Sequence, residues 1–259
     1  MLSLTEIVAM KRPSFPGAAL LVGACLLFLG ACAAQPPVAQ GINDPNEARN
    51  RAIHEANKRG DTNFLRPISQ GYGKAVPEPV RRSVGNFAGN LDLPRSIVND
   101  VLQANIDDAL HNFTRLLINT TFGIGGVFDP AGDWGLPERN SDFGETLHVW
   151  GVQEGKYQEL RFLGPSTERD TAGRIVDFVL NPLSYTLQTP ERYAMPVSAV
   201  ASRIGDRYRF SETIDSILYD SADSYAQSRL LYLQNRRFEL GQDASAADID
   251  PFEIDTSGF

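Results

Sequence analysis

The chain predicts a mainly α fold. In every long element the apolar residues recur at steps of three and four, which is the 3.6-residue period of a helix. No segment after Cys32 approaches the ~18 consecutive apolar residues of a membrane-spanning helix. The alternating runs at ~10-residue spacing that mark a membrane β-barrel are also missing. What remains is a series of amphipathic helices joined by segments rich in proline and glycine.

The elements follow in order. Asp44-Pro45 opens the ordered part, and Glu47 to Lys58 is polar and free of breakers. Charges three and four apart, among them Arg51, Glu55 and Lys58, support a surface helix there. Phe64-Leu65-Arg66-Pro67 is expected to end it, because the residue before a proline leaves the helical region. Val76-Pro77-Glu78-Pro79 is a rigid lead-in, with Pro79 suited to a first helical turn. Val80, Val84 and Phe87 continue that helix, and Asn86 to Leu91 is expected to close it. From Pro94 a long amphipathic helix carries Ile97, Val101, Leu102, Ile106, Leu110, Phe113 and Leu117 on one face. Asn99, Asp100, Asn105, Asp107, Asp108 and Arg115 lie on the other. Two readings of that apolar face stand at this point: it meets a protein core, or it meets lipid.

Thr121 to Pro130 follows, with Gly123, Gly125 and Gly126 at its centre, and reads as a mobile loop or a tight helix break. It is not a dinucleotide fingerprint, because the third glycine and the preceding strand are absent. The middle of the chain is loop-rich. Ser166 or Thr167 is placed to cap a short helix from about Arg169, and Asn181-Pro182 breaks the chain again. A second long helical stretch is expected from Val197 through Ile204, Ile214 and Leu218, interrupted near Gly205. A third spans Ser224 to Leu240.

The N-terminus carries an address. Lys11 and Arg12 precede an apolar run from Gly17, which ends in Leu29-Gly30-Ala31-Cys32. A basic start, a short apolar core and small residues at the cut make a secretory signal. Cysteine directly after the small pair resembles the lipobox of bacterial lipoproteins and makes Cys32 the lipidated first residue. Cys25 also fits the loose pattern, but cleavage there leaves Leu26-Leu27-Phe28-Leu29 on the mature end. Cleavage before Cys32 leaves the polar tether Ala33-Ala34-Gln35-Pro36-Pro37, with no aspartate after the cysteine, which favours the outer membrane. The expected organisation is a signal peptide over 1–31, a lipidated tether over 32–43, a helical domain over 44–240 and a disordered acidic tail over 241–259. Each lipid methylene buried contributes ~0.8 kcal/mol, so several acyl chains anchor firmly.

Removing residues 1–31 takes away Lys11, Arg12 and Glu6, leaving 22 basic against 31 acidic residues, a charge of −9 against −8 for the whole chain. Such an acidic chain is a poor nucleic-acid binder. Both cysteines lie in the signal region, so the mature chain forms no internal disulfide. His54, His111 and His148 form no His-x-x-x-His or Cys/His cluster, and neither a metal nor a cofactor is expected. No Gly-x-Ser-x-Gly elbow appears, and Asp107-Asp108 reads as a solvated pair on a polar helix face. The sequence offers no catalytic constellation.

Taken together, the ordered motifs resemble a known family. They begin with Asp44-Pro45-Asn46-Glu47-Ala48-Arg49-Asn50-Arg51, Leu65-Arg66-Pro67 and Val76-Pro77 with Pro79. Asn86-Phe87 with Asn90-Leu91, Asn99-Asp100 with Leu102-Gln103, and Arg115 with Asn119-Thr120 follow. Gly123-Ile124-Gly125-Gly126 with Asp129, Asp142 to Leu147, Trp150-Gly151-Val152, Gly164 to Thr167 with Arg169-Asp170, and Tyr232 to Arg237 complete the run. The series, over residues 43 to 240, resembles the MlaA (VacJ) lipoproteins of Gram-negative outer membranes.

The resemblance implies a ring-like bundle of amphipathic helices lying in the periplasmic leaflet of the outer membrane, with a central polar channel. It implies removal of misplaced phospholipids from the outer leaflet and their transfer to a periplasmic lipid-carrier protein. A porin trimer is the implied outer-membrane partner. Gly123, Gly125 and Gly126 are then a candidate gating loop. The alternative is a structural or porin-binding scaffold lipoprotein that conducts no lipid. The chain departs from the family in three places. Ala48-Arg49 stands for Gly-Phe, Gln153 to Tyr157 for a Gly-x-Gly-Pro-Tyr turn, and Arg161 for a common proline.

Overall fold

The computed structural model describes residues 41–189 and 193–242. The signal segment, Cys25, Cys32, most of the tether and nearly all of the acidic tail lie outside the described residues. Helix dominates the rest, as the 3.6-residue period predicts, and no described helix is long and apolar enough to cross a membrane.

Helix α1 (Glu47–Gly60) does not stop at the Leu65-Arg66-Pro67 signal. It runs into a π-turn (Asp61–Leu65) and on into α2 (Arg66–Ala75). The Arg66 N–H donates to the Asp61 carbonyl five residues back. This wider turn restarts the hydrogen-bond register, so the missing N–H of Pro67 falls in the first turn of α2, where no partner is needed. α3 (Glu78–Leu102) has Pro79 in its first turn, as expected, but runs straight through Asn86–Leu91 and through Pro94. Pro94 cannot donate to the Asn90 carbonyl. The helix persists because Asn90, Leu93, Ser96, Asn99 and Asp100 are all buried against neighbouring elements.

The long amphipathic run from Pro94 is two helices. α3 ends at Leu102, with Ala104 in the left-handed region at φ +57°. Asn105 then caps α4 (Ile106–Thr121) by accepting the Asp108 N–H at 3.2 Å. After the glycine turn come α5 (Pro130–Asp133) and α6 (Phe143–Val149), capped by Asp129 and Asp142.

An unanticipated antiparallel hairpin follows, β1 (Tyr157–Leu160) and β2 (Gly164–Thr167), with Tyr157 opposite Thr167 and Leu160 opposite Gly164. It lies on α1, where Asn50 Nδ2 donates to the Tyr157 carbonyl at 3.2 Å and Asn57 Nδ2 to the Leu160 carbonyl at 2.9 Å. Of the two expected caps, Thr167 is the one used. Its side chain accepts the Asp170 N–H and opens α7 (Glu168–Leu180), which stops before Asn181-Pro182. The single turn α8 (Leu183–Thr186) leads on.

α9 (Ala194–Arg209) passes unbroken through Gly205, against which Tyr72 of α2 packs. The break falls instead at Phe210, before the short α10 (Ser211–Asp215) and a second π-turn (Ser216–Asp220). α11 (Ser224–Glu239) matches the expected third helix to within a residue. α3 pairs with α4, α6 with α7, and α9 lies across α2 and α3.

The apolar core is small. Tyr157, Tyr225 and Leu233 form it, with Ile42 and Tyr232 packed against them. The larger interior is polar. Asn99, 2 % exposed, shows what holds it: its Nδ2 donates to Asp177 Oδ1 at 2.9 Å, and its Oδ1 accepts the Thr146 hydroxyl at 3.0 Å. Asn99→Leu leaves Asp177 and Thr146 each short of a buried partner. It should lower stability by about 1–3 kcal/mol, read as thermal unfolding in detergent by circular dichroism. The exposed Thr114→Ala should stay within about 0.5 kcal/mol.

Candidate functional site

Two features set this molecule apart: an apolar exterior and a polar interior. On α4 the two readings of the amphipathic face separate. Leu110 is 60 % exposed, Phe113 48 % and Leu117 50 %, while Asn112, Arg115 and Asn119 are at most 5 % exposed. The apolar stripe faces outward and the polar stripe inward. α7 repeats the arrangement, with Ile175 and Phe178 outside and Arg169, Asp170 and Asp177 inside. Among the described residues seven apolar side chains are buried against twenty-two polar or charged ones. Exposed apolar faces on two helices mark an interaction surface rather than a water-facing one.

Every inward charge must find partners. At the end of α4, Asp129 accepts Arg115 Nη2 at 3.1 Å, Asn119 Nδ2 at 2.7 Å and the Gly132 N–H at 3.1 Å. Burial pushes the Asp129 carboxyl up, but the bonds from Asn119, Gly132 and Arg115 outweigh it and hold it below its ordinary range. A second cluster spans both π-turns. Arg207 of α9 grips Asp61 with two nitrogens, at 2.9 and 2.8 Å, and Asp215 at 2.6 Å, while the Tyr219 hydroxyl donates to Asp61 at 2.7 Å. A third ties the N-terminal Asp44 to Tyr225 and Arg229 of α11.

The three predicted glycines are brought together in one tight turn that closes α4. Gly125 N–H donates to the Thr120 carbonyl at 3.0 Å and Gly126 N–H to the Asn119 carbonyl at 2.8 Å. Gly123 admits no side chain, because a Cβ there would lie 2.4 Å from the Asn119 and Phe128 carbonyl oxygens. Gly126, at φ +93°, sits on the side chain of Asn90. Gly125, at φ +71°, faces open space. The turn carries exposed apolar residues: Ile124, and Phe122 packed on Trp134 with ring centroids 5.7 Å apart.

A polar cleft of about 240 Å³ lies where α6, α7 and α11 meet. Asp142, Asp170 and Glu239 line it with Arg174 and Arg236, beside Tyr232 and Asn235. Arg236 Nη2 donates to Asp142 at 2.6 Å and to Asp170 at 3.3 Å, and the Tyr232 hydroxyl donates to Asp170 at 2.6 Å. Burial raises the Asp170 carboxyl, but Arg236, Tyr232 and Arg169 together hold it below the usual carboxylate range. Sequence reasoning missed this cleft, because Asp142 caps α6, Asp170 lies in the first turn of α7 and Arg236 comes from a helix 66 residues downstream of Asp170.

The histidines have structural partners. His54 bonds Ser224 at 3.1 Å and His111 the Pro137 carbonyl at 2.7 Å. Burial, with Arg169 and Arg236 nearby, lowers His148. Among the described residues no group of three or more His, Cys, Asp or Glu is placed to hold a metal.

Comparison with known proteins agrees with this architecture. The family model described as "MlaA lipoprotein" matches residues 42–239. An uncharacterized protein of Rickettsia bellii (strain RML369-C) is 39 % identical over 196 residues, 75 % of this chain and 76 % of that protein. The "Intermembrane phospholipid transport system lipoprotein MlaA" of Escherichia coli (strain K12) is 32 % identical over 226 residues, 85 % of this chain and 86 % of its own length. A solved structure described as "Structural basis for maintenance of bacterial outer membrane lipid asymmetry" is 32 % identical. It superposes with a TM-score of 0.67 over 76 % of this chain and 98 % of its own. By the span of the family match and the identity to curated relatives, the chain belongs to the MlaA lipoprotein family.

Proposed function

We propose that this chain is the outer-membrane lipoprotein of an intermembrane phospholipid transport system and helps to maintain lipid asymmetry. The observation that carries the reading is the inversion of α4 and α7, with apolar faces outside and charged residues inside. Amphipathic helices without a spanning segment lie in one leaflet, their apolar faces against acyl chains. A phospholipid crossing that leaflet needs polar partners for its headgroup, since bare polar groups in hydrocarbon cost several kcal/mol. An inward-facing polar surface supplies them and lowers the barrier passively.

The finer reading has four parts. Cys32 carries the acyl chains, residues 33–43 tether them, and the helices ring a polar channel at the periplasmic face. Lipid leaves the outer leaflet and passes to a periplasmic carrier protein. A porin trimer is the outer-membrane partner. The turn at Gly123, Gly125 and Gly126 gates the channel, which its exposed Ile124 and its attachment through Asn90 support. No reaction step is assigned to the chain.

The direct test is enzymatic labelling of outer-leaflet phospholipid in intact cells. Deleting the gene should raise labelled surface phospholipid, and Cys32→Ala should raise it too. Unchanged labelling in the deletion strain would return the chain to the scaffold reading.

The outward face has its own measurement. Phe113→Asp removes an exposed apolar contact without touching the interior. In a Cys32→Ala background, so that acyl chains do not mask the effect, it should weaken flotation with phospholipid vesicles about tenfold or more. Its unfolding in detergent should match the parent.

The gate is tested at Gly125. Proline cannot adopt φ +71° and deletes the N–H donated to Thr120, so Gly125→Pro rebuilds the turn and costs α4 one carbonyl partner in its last turn. Gly125→Ala meets nothing within 4 Å and adds only backbone strain of about 1 kcal/mol. Transport should fall in Gly125→Pro and less in Gly125→Ala. Normal clearance of surface phospholipid in both sinks the gate.

A further inference from the structure

The cleft between α6, α7 and α11 has a charge order that the transport reading alone does not require. Its inner wall is acidic. Arg236 lies among three carboxylates, reaching Asp142 at 2.6 Å, Asp170 at 3.3 Å and Glu239 at 3.3 Å. The buried Arg169, with Nε 3.3 Å from Asp170, joins Arg236 there, so two guanidiniums face three carboxylates and one negative charge is left over. Arg174 stands on the exposed side of α7, and its described bond is to the Pro165 carbonyl at 3.3 Å, not to a carboxylate. The cleft is therefore negative at the back, positive at the rim and balanced over all.

Its flanks are apolar. Phe178 follows Arg174 by four residues on α7 and is 85 % exposed. Phe238 follows Asn235 by three on α11 and is 78 % exposed, and Leu231 precedes Asn235 by four. Residues three and four apart share a helix face. On both helices a polar cleft residue thus shares its face with a bare hydrophobic one. Buried polar partners beside exposed apolar flanks suit an amphipathic ligand with a small, dipolar headgroup.

We propose that this cleft is a headgroup subsite selecting phospholipids that carry a terminal ammonium, phosphatidylethanolamine above all, over anionic phosphatidylglycerol. The proposal rests on the lipid-transport reading and adds a substrate preference to it. The ammonium points inward to Asp142, Asp170 and Glu239, the phosphate meets Arg174 at the rim, and the acyl chains leave along Phe178 and Phe238. A glycerol headgroup places a neutral diol against the carboxylates and forgoes the charge-assisted bonds. Its phosphate keeps only Arg174, and the negative charge left at the back goes unmet.

The test uses the full-length lipidated protein, equilibrated with mixed vesicles of phosphatidylethanolamine and phosphatidylglycerol. Bound lipid is then extracted and weighed by headgroup in a mass spectrometer. The wild-type chain should hold phosphatidylethanolamine at about ten times its share in the vesicle, the worth of one charge-assisted bond. Glu239→Lys adds two positive charges to the balanced cleft at an exposed position and should move the ratio toward phosphatidylglycerol. Arg174→Glu, also exposed, should lower retention of both lipids by stripping the phosphate of its partner. Soluble glycerophosphoethanolamine at equal concentration should displace neither lipid, because it has no chains for the flanks, and displacement by it overturns the lipid assignment. A wild-type protein that binds both headgroups equally, or a Glu239→Lys ratio equal to wild type, overturns the selectivity. Those outcomes leave the transport reading standing, since it falls only if deletion leaves surface phospholipid unchanged.

Discussion

The structure depends on one constraint: charged groups turned inward must be paired inside the protein, because they are cut off from water. A water-soluble domain is held by apolar burial, and its polar surface takes care of itself. Here the apolar core is a cluster around Tyr157, Tyr225 and Leu233, and the long helices have little apolar surface left to bury against one another. Their cohesion comes from ion pairs and hydrogen bonds that join distant parts of the chain. Asp44 reaches Arg229, Asp61 reaches Arg207, Asn99 reaches Asp177 and Asp142 reaches Arg236. A buried pair adds little net stability over an apolar equivalent, but a broken one is costly. Such pairs therefore fix which helix meets which.

That constraint also decides what could be read in the sequence. The helices were legible, since the 3.6-residue period follows from amphipathicity whichever way the apolar face points. The direction of that face was not, because Leu110, Phe113 and Leu117 make the same stripe in a core as in a bilayer. Helix stops were misread wherever tertiary contacts outweighed a local signal. Pro67 sits behind a π-turn, Pro94 rides in a helix anchored by Asn90, Ser96 and Asn99, and Gly205 lies inside α9, whose Ser198 and Arg207 are buried. The hairpin escaped notice because its strands are four residues each and its inward positions include Glu159, not an apolar alternation. The glycine turn was visible as composition. The cleft was not, because it assembles residues from three helices that no spacing rule links.

The departures from the family pattern make sense in the same terms. The loop that replaces a Gly-x-Gly-Pro-Tyr turn brings Glu154, and Arg237 of α11 clasps it with two nitrogens at 3.0 and 2.9 Å. Gly155 keeps the positive φ of the turn, at +75°, with Glu168 against it. Rigidity lost with a proline is regained by a bidentate ion pair. Arg49, in place of an aromatic, is exposed on the first turn of α1, away from the buried Asn50 and His54. That helix buries polar residues against the hairpin and has no apolar stripe comparable to α4, so it has less need of an aromatic to face lipid.

A conduit for phospholipids faces a problem that a binding protein does not: it must hold a headgroup and also let it go. Deep, single-sign sites would trap it. The interior described here is built of guanidinium–carboxylate pairs, and a dipolar headgroup carries both signs at once. When it enters such a pair, its phosphate takes the guanidinium and its ammonium takes the carboxylate, so one ion pair is exchanged for two of the same kind. The desolvation that buried charges demand has already been met by the fold. Entry and exit are then close to isoenergetic, and movement needs no chemical energy from the chain itself. Under the proposed function, the polar network that orders the helices and the path that passes the lipid are made of the same kind of interaction. The scarcity of apolar residues inside is a condition of the function as well as of the fold.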